Sequence, residues 1–531
     1  MERFFNTAGP CREEWHYMLP ATARVESLKE LIEQKLYFVI HAPRQVGKTT
    51  SMIALAKELT ASGAYASVLL TCEQGAVFKD DVEKAEGAIV QSWEGSCRHW
   101  LPQELLPPPM LDSARTGNVI REFLQNWAES CPRPLVLFID EIDALENAAL
   151  LTVLRQLRSG FPARPASFPH SVALIGMRDA AVADHRDYKV ASGGSERLHT
   201  ASPFNVKARS LTLRNFNREE VFELLLQHTT ETGQPFEPEA LDAVWNLTRG
   251  QPWLVNALAN VMTGQLVKAR STRITLQDVE TAKEVLIQRR DTHLDSLAER
   301  LREERVKRIL VPMLAGHHLP ELPSDDRRYV IELGLLERGD GGGLQLANPI
   351  YAQIIPRELT EGIEASMGSI RPTWLTPEGQ LSLQKLQDAF LKFWRQHGAP
   401  LLRAAPYAEI APQLVLMAFL HRVSNGMGRV EREYAIGSGR LDLLLEYKGV
   451  RLAVECKVQR PDGNDPFIEG LEQLDEYLSG LSWPEGFQGD TSFQAWLFIT
   501  ERRELPLKAP IIPKVETHLT PEQRKVLVIW G

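Results

Sequence analysis

The chain has 531 residues, of which 44% are hydrophobic and 24% charged, and this globular composition excludes the disordered and fibrous classes. Its formal net charge of −9 at pH 7 argues against binding of polyanions through global charge, so a contact with nucleic acid requires a local patch. The cysteines lack CxxC spacing, which argues against a zinc knuckle or disulfide framework and suits a reducing cytosol. No signal peptide or apolar stretch of about 20 residues is present, so we expect a cytoplasmic protein without a membrane segment.

The first third of the chain alternates apolar, β-type runs with helical patterns. A helix with apolar residues at helical spacing is predicted over Ser51–Leu59. Buried strands are predicted at Leu36–Ala42, Tyr65–Cys72, Arg133–Asp140 and His170–Met177. Continuous apolar strands between helices are typical of a parallel sheet with both faces covered, so we predict an α/β core.

The pattern becomes helical from about residue 215 to 290. Residues 300–359 then predict short helices followed by two short strands around a glycine turn, an order that resembles a winged helix. Ile370–Gly379 contains two prolines and a glycine and is predicted to be a linker. Beyond it we predict an amphipathic helix to about His397, an apolar helix over Glu409–Val423, and then strands and a further helix.

The string APRQVGKTT follows the first predicted strand and precedes a helix. It fits the phosphate-binding pattern GxxxxGK[ST], with Ala42 in place of the first glycine. Such a loop holds phosphate oxygens with backbone N–H groups, while Lys48 neutralises the β- and γ-phosphates and the Thr49 hydroxyl binds Mg²⁺. Gly47 lets the backbone approach the phosphate closely. The predicted nucleotide-binding residues of this loop are Ala42, Pro43, Gln45, Val46, Gly47, Lys48, Thr49 and Thr50.

A second motif, LVLFIDEID, is an apolar strand that ends in acidic residues. The carboxyl end of a strand is where phosphate chemistry takes place in open α/β sheets. We predict that Asp140 binds Mg²⁺ and that Glu141 orients and deprotonates the attacking water. The alternative interpretation is a strand with a solvated acidic end.

These two motifs resemble those of the AAA-like P-loop ATPases, particularly the branch related to STAND and origin-recognition ATPases, over about residues 1–360. The resemblance implies ATP and Mg²⁺ as cofactors and an ATPase module that can form homo-oligomers. The strand in SVALIGMRD corresponds to the sensor-1 strand of that family. Arg178 stands where the family usually has Asn or Thr. RGQPW resembles the GxP motif of a helical lid, which puts Gly250 and Pro252 near the adenine, while Arg249 is either a lid arginine or a solvated helix end.

Each further role that the resemblance implies has an alternative in which the residue is only structural. Arg155 and Arg158 follow the acidic strand and are the best candidates for an arginine finger, but ordinary helix-surface arginines are the favoured alternative. His16, Tyr17 and Arg24 are candidates for packing on the base, and the alternative is a core aromatic cluster with a surface arginine.

A separate set of charged residues lies in the C-terminal third, in GRLDLLLEYKGVRLAVECKV. Strand side chains alternate, so Glu455 and Lys457 face the same way, and a hairpin brings Asp442 beside Glu455. The two carboxylates can share Mg²⁺, or Mn²⁺ in its place, and Lys457 can orient or deprotonate water.

This arrangement looks like the PD-(D/E)XK nuclease superfamily over roughly residues 380–531, with RLD where the name-giving PD would be. The resemblance implies a restriction-endonuclease-like α/β fold, Glu409 as an upstream helix acid, and Gln473 with Tyr477 as a QxxxY motif. A degenerate domain that only binds a partner is the alternative. Nearby basic residues either follow a phosphate backbone or solvate a sheet edge: Arg429, Arg432, Arg440, Arg451 and Arg460.

We therefore predict an AAA-like ATPase core over 1–210, a helical lid over 211–295, a winged-helix-like domain over 296–368, a linker over 369–379 and a nuclease-like domain over 380–531. The expected function is ATP hydrolysis coupled to Mg²⁺-dependent cleavage of nucleic acid, with DNA as the expected partner. Resemblance to fused ATPase–nuclease chains suggests defence against foreign DNA. The alternatives are a STAND-like ATP switch whose C-terminal domain binds without cutting, and an ATPase that loads machinery onto DNA.

Overall fold

The computed structural model describes residues 2–25, 27–109, 115–176, 207–289, 299–301, 303–314, 323–339, 343–366, 372–398, 411–424, 428–436, 439–459, 465–480, 493–501 and 513–531. The chain forms two compact units. The first comprises Met1–His293 and Arg327–Ile350, and the second comprises Leu294–Asp326 and Tyr351–Gly531.

The first unit is built on a parallel sheet in the order β2-β3-β4-β1-β5. Its strands are β1 (Tyr37–His41), β2 (Ala66–Thr71), β3 (Leu135–Asp140), β4 (Ser171–Gly176) and β5 (Lys207–Thr212). Residues in β3 and β4 are buried throughout, because helices cover both faces of the sheet. The predicted parallel α/β core is therefore confirmed, whereas β5 was not predicted.

Helices pack on the two faces of this sheet as separate apolar layers. They are α1 (Ser27–Glu33), α2 (Lys48–Ala61), α3 (Val82–Trp100), α4 (Val119–Ser130) and α5 (Asn147–Gly160). On one face, α1 and α2 bury residues such as Leu31 and Leu55. On the other, α3, α4 and α5 bury Trp93, Trp127 and Leu154.

Helices follow β5, as the periodic apolar pattern predicts. They are α6 (Arg218–Thr232), α7 (Pro238–Thr248), α8 (Pro252–Val261) and α9 (Leu276–Arg289). The Asn217 side chain caps the start of α6 by accepting a hydrogen bond from the Glu220 amide. The Glu220 side chain in turn accepts a hydrogen bond from the Asn217 amide.

The region predicted to resemble a winged helix contributes to both units. It contains α10 (Glu304–Leu314), α11 (Ser324–Glu332), β6 (Leu336–Arg338), β7 (Leu344–Leu346) and α12 (Pro349–Ser366). The two short strands pair in an antiparallel hairpin. The winged-helix interpretation and the domain boundaries remain predictions.

The second unit contains a mixed sheet in the order β12-β13-β11-β10-β9-β8. Its elements are α13 (Leu383–Phe393), α14 (Ala411–Ser424), β8 (Gly428–Ile436), β9 (Gly439–Tyr447), β10 (Val450–Gln459), α15 (Pro466–Gly480), β11 (Phe493–Glu501), β12 (Lys514–Leu519) and β13 (Lys525–Trp530). β10, β11 and β13 run parallel, whereas β8, β9 and β12 pair antiparallel with their neighbours. β12 and β13 were not predicted.

Two apolar layers flank this second sheet. α15 packs Leu474 and Leu478 against it. Aromatic side chains form the other layer, where Phe390 lies 5.4 Å from Phe419 and 5.5 Å from Phe498 between ring centroids. Among the helices described in either unit, none is long and apolar enough to cross a membrane.

Candidate functional sites

The loop between β1 and α2 has the backbone that close contact with an anion requires. Gly47 has a φ of 88°, and a Cβ there would lie 2.9 Å from Nη2 of Arg24. Both constraints favour glycine. Helix α2 begins at Lys48, so its first N–H groups have no partner within the helix and are available to phosphate oxygens.

Lys48 lies folded against its own loop. Its Nζ donates to the carbonyl oxygens of Ala42 at 2.6 Å and Pro43 at 2.8 Å. Burial lowers the pKa of Lys48 to about 8, and the nearby Asp140 carboxylate opposes that shift. The ammonium group therefore has neutral acceptors that a phosphate group, with its full negative charge, can displace.

Asp140 and Thr49 meet at the carboxyl end of β3. The Thr49 hydroxyl donates to Oδ2 of Asp140 at 3.0 Å, and the Glu141 amide donates to Oδ1 at 2.9 Å. Asp140 is only 7% exposed, and burial raises its pKa despite these hydrogen bonds. A hydroxyl and a carboxylate in contact form the oxygen donor set that Mg²⁺ takes beside substrate phosphates, so these residues fit that ion.

Glu141 follows in a left-handed backbone conformation, with a φ of 55°. The Thr71 hydroxyl donates to its Oε2 at 3.4 Å. Partial burial and then the neighbouring Glu73 carboxylate raise the pKa of Glu141. A raised pKa makes a carboxylate a stronger general base. Sequence reasoning missed Thr71 and Glu73, although the parallel register pairs Thr71 directly with Asp140.

The sensor-1 prediction falls at the edge of the described chain. β4 ends at Gly176, whose carbonyl accepts a hydrogen bond from the Ala42 amide at 3.2 Å. A Cβ on Gly176 would lie 2.8 Å from Oδ1 of Asp143, so this acidic side chain packs beside the loop. Arg178 itself lies outside the described residues.

Arg24 connects the phosphate-binding loop to the helical region. Its guanidinium donates to the Val46 carbonyl at 3.0 Å and to the Arg214 carbonyl at 2.8 Å, and it lies 4.8 Å from the ring centroid of Phe216. Burial lowers its pKa to about 10. Phe216 in turn donates its amide to the Gly250 carbonyl at 2.9 Å. Through these contacts Arg24 fixes the loop against the turn that precedes α8.

Gly250 and Pro252 shape that turn. Gly250 has a φ of 70°, and a Cβ there would lie 1.9 Å from the Phe216 carbonyl oxygen, so no larger residue fits. Pro252 is the first residue of α8, and the side chain of Gln251 accepts from the Leu254 amide at 2.6 Å. Proline suits this position because the first helical amide has no partner within the helix.

The N-terminal segment links α2 with α8. The Cys11 amide donates to the Thr50 hydroxyl at 3.1 Å, and the Trp253 indole donates to the Thr7 carbonyl at 2.9 Å. His16 packs on Phe4, and Tyr17 packs on Phe5, with ring centroids 4.7 Å and 4.8 Å apart.

Arg155 and Arg158 are exposed on α5, and Arg249 ends α7 with a φ of 48°. Their proposed roles remain predictions.

In the second unit, the hairpin of β9 and β10 brings Asp442 and Glu455 together. Oδ2 of Asp442 accepts from the Cys456 amide at 2.7 Å. Glu455 is 4% exposed, and its Oε2 is buried with no hydrogen-bond partner among the described residues. Burial, and then the charge of Asp442, raise the pKa of Glu455 to about 8.

Lys457 lies between Glu455 and helix α15. Its Nζ is 3.4 Å from Oε1 of Glu455 and 3.1 Å from Oε1 of Glu469, and it donates to the Gln473 side chain. Burial alone lowers the pKa of Lys457, but the carboxylates of Glu455 and Glu469 outweigh it and the net shift is upward. Glu469 was not predicted, and its position four residues before Gln473 on one helix face is the signal that could have shown it.

The carboxylate pair fits a divalent cation, because Oε2 of Glu455 is buried without a donor beside a second carboxylate, and carboxylate oxygens are ligands that Mg²⁺ takes. In the described part of the chain, no group of three or more His, Cys, Asp or Glu side chains is arranged to hold a metal. Water or substrate oxygens can supply the remaining ligands of a cation here. Glu409 and Arg460 lie outside the described residues.

Other predicted residues of this unit have structural contacts. Arg429 pairs with Glu431, and Arg451 lies 2.8 Å from Glu446. Tyr477 is buried in the apolar layer of α15. Arg432 and Arg440 are described only by their backbone, which lies in β8 and β9.

No family model matches the chain, and no curated protein matches it either. Among solved structures, the chain is similar to the Walker-type ATPase of Pyrococcus abyssi, with 16% identity and a TM-score of 0.44, over 66% of this chain and 98% of that one. It is similar to the Aeropyrum pernix ORC2 protein, with 13% identity and a TM-score of 0.38, over 64% and 94%. It is also similar to the Thermotoga maritima RuvB Holliday junction branch migration motor, with 17% identity and a TM-score of 0.33, over 62% and 91%. These structural neighbours are P-loop ATPases at low sequence identity.

Proposed function

We propose that the first unit binds ATP with Mg²⁺ and hydrolyses it. The observation that carries this proposal is the arrangement of Lys48, Thr49 and Asp140. The ammonium group of Lys48, at the start of α2, lies near the hydroxyl–carboxylate pair of Thr49 and Asp140. Lys48 would exchange its loop carbonyls for the β- and γ-phosphates, and α2 would add its N-terminal amides. Glu141 would accept a proton from the attacking water as the new oxygen–phosphorus bond forms, and the bond between the γ-phosphorus and the β,γ-bridging oxygen would break to leave ADP and phosphate.

Substitution of Lys48 tests nucleotide binding directly. Lys48→Ala removes the ammonium group that the proposal places on the β- and γ-phosphates, and we expect loss of ATP binding in calorimetry. Lys29→Ala, which changes a lysine on α1 paired with Glu58, is the matched control and should bind normally. Equal ATP affinity in wild type and Lys48→Ala would contradict the proposal.

We also propose that the second unit is a Mg²⁺-dependent nuclease of the PD-(D/E)XK type, acting on DNA. Support comes from the buried Glu455 oxygen without a partner next to Asp442. A bound Mg²⁺ would supply stabilisation of the charge on the phosphate group. Asp442 and Glu455 would hold the ion, and Lys457, positioned by Gln473, would orient the water that attacks phosphorus. That water would lose a proton to solvent as its oxygen bonds to phosphorus, the phosphorus–oxygen bond to the leaving group would break, and the leaving oxygen would take a proton from solvent.

A cleavage panel tests this second activity. Plasmid, linear duplex, single-stranded DNA and RNA are incubated with Mg²⁺ or Mn²⁺, each with and without ATP. We expect wild type to cut DNA and Asp442→Asn to bind ATP but not to cut. Glu472→Gln, an exposed change on α15, is the control and should retain cleavage. Equal cleavage by wild type and Asp442→Asn would show that this site is not the nuclease.

The coupling between the two activities is part of the proposal, with the ATPase module forming homo-oligomers. Gel filtration with and without ATP, measured beside phosphate release, tests it. ATP-dependent oligomers with no phosphate release would instead indicate a STAND-like switch.

We propose defence against foreign DNA as the setting, and phage plating on cells that produce wild type or Asp442→Asn tests that. Equal plating on both would contradict a nuclease-based defence.

A further inference from the structure

A cavity of about 310 Å³ lies in the first unit, away from the phosphate-binding loop. It is bounded by the outer face of α2, the edge strand β2 and the residues that follow α3. Its walls are largely apolar and include Ile53, Ala56, Leu69 and Trp100. Trp100 is 37% exposed. The volume is at the lower end of the range of ligand pockets, about 300–1,000 Å³.

Two cations line the same cavity. Nζ of Lys57 lies 4.8 Å from the ring centroid of Trp100, and Nη1 of Arg133 donates to the Thr60 carbonyl at 3.1 Å. Neither Lys57 nor Arg133 forms an ion pair with a carboxylate in the described ranges. The cavity therefore combines an apolar wall with positive charge that no described side chain neutralises.

The edge of β2 adds polar groups to this cavity. The Thr60 hydroxyl pairs with both the amide and the carbonyl of Ser67, and the Trp93 indole donates to the Thr71 carbonyl. Since main-chain groups alternate sides along a parallel strand, Leu69 between them also faces away from β3. The Ser67 hydroxyl, on a residue only 3% exposed, has no partner among the described residues.

We propose that this cavity binds a small aromatic carboxylate. The planar apolar body packs against Trp100 and Leu69, because an exposed indole offers a large rigid face to a flat ligand. The carboxylate lies between Lys57 and Arg133, whose guanidinium retains donors beyond the one used on Thr60. None of the residues that line this cavity belongs to the residues proposed to bind ATP or to cut DNA.

Calorimetry of the full chain with 1-naphthoate tests the proposal, and 1-naphthalenemethanol serves as a neutral probe of the same shape. We expect saturable binding of one naphthoate per chain. The double variant Lys57→Gln/Arg133→Gln should weaken naphthoate binding by at least about tenfold, the effect of losing one charged contact, and leave the neutral probe unchanged. Lys84→Gln/Arg218→Gln removes the same charge elsewhere on the first unit and should change neither affinity.

Two further variants separate the cavity from other apolar surfaces. Ala56→Leu fills the cavity, and Trp100→Ala removes its exposed wall, so both should weaken both probes. Thermal unfolding shows whether each variant is folded, and either folded variant is sufficient for the test. The proposal is overturned if naphthoate does not bind saturably to wild type, or if its affinity is unchanged by the charge variant and by a folded cavity variant.

Discussion

The two candidate sites differ in whether their buried charged side chains have hydrogen-bond partners. In the first unit, Lys48 has carbonyl acceptors within its own loop, and Asp140 accepts two hydrogen bonds. In the second unit, Glu455 is buried beside Asp442 and one of its oxygens has no described donor. The charged side chains of the first site thus have partners before a ligand arrives, whereas the second site holds a buried carboxylate oxygen with no described partner.

This difference determines what a ligand does at each site. Phosphate must displace the hydrogen bonds that Lys48 already makes. Part of the interaction energy between Lys48 and phosphate is therefore offset by the loss of those hydrogen bonds. A cation at the second site removes repulsion between carboxylates and provides a partner for an unsatisfied oxygen. We therefore expect the second unit to gain more stability from a divalent cation than the first unit gains from the cation alone.

The largest effect that we expect concerns hydrolysis at the first site. Glu141→Gln keeps the shape of the side chain but removes the proton acceptor, so phosphate release should fall by about 10²-fold or more while ATP still binds. Rapid-quench measurement of phosphate release, with ATP affinity measured in parallel, checks this. The conservative variant Glu73→Gln should stay within a few-fold of wild type, and an equal loss in both variants would show that Glu141 has no special role.

A smaller effect concerns stability of the metal-free protein against pH. The pKa of Glu455 is raised in the folded state, so folding favours its protonated form, and that stability is lost as pH rises from about 5 through about 8. We expect the wild type to lose more stability than Glu455→Gln across this range, by an amount on the order of a few kcal/mol. Chemical unfolding of both proteins in a chelator measures the difference. Parallel pH profiles would contradict the assignment of a strained carboxylate.

The smallest effect is the pH dependence of ATP binding. The pKa of Lys48 is lowered to about 8 before nucleotide binds, so its neutral form becomes populated as pH rises. Since phosphate requires the ammonium form, we expect ATP affinity to fall severalfold between about pH 7 and pH 9. Calorimetry over this range in two buffers should also show proton uptake on binding at the higher pH. Constant affinity without proton uptake would show that Lys48 is fully charged throughout.

Local patterns predicted much of the first unit. Four of its strands are continuous apolar runs, and the loop APRQVGKTT has a spacing that only a phosphate site requires. β5 was missed because KARSLT contains polar residues at most positions, and it is recognisable as a strand only through its pairing with β1. β12 was missed because it is a polar edge strand, whereas β13 carries an apolar run, KVLVIW, that the pattern could have revealed.

The contacts that complete each site depend on tertiary structure. Arg24 reaches the carbonyl of Arg214 across 190 positions of the chain, and no local spacing predicts such a bond. Thr71 lies near Glu141 only because β2 pairs with β3 in a parallel register. By contrast, the proximity of Asp442 and Glu455 follows from a hairpin, in which alternation and turn length are visible in the sequence.

The most direct test of two separate sites is the amount of Mn²⁺ bound by the nucleotide-free protein, measured by electron paramagnetic resonance. We expect one bound Mn²⁺ in wild type and in Lys48→Ala, and none in Glu455→Gln, because the carboxylate pair of the second unit has a buried oxygen with no partner among the described residues. Unchanged Mn²⁺ binding in Glu455→Gln, or its absence from wild type, would contradict a metal site at β9 and β10.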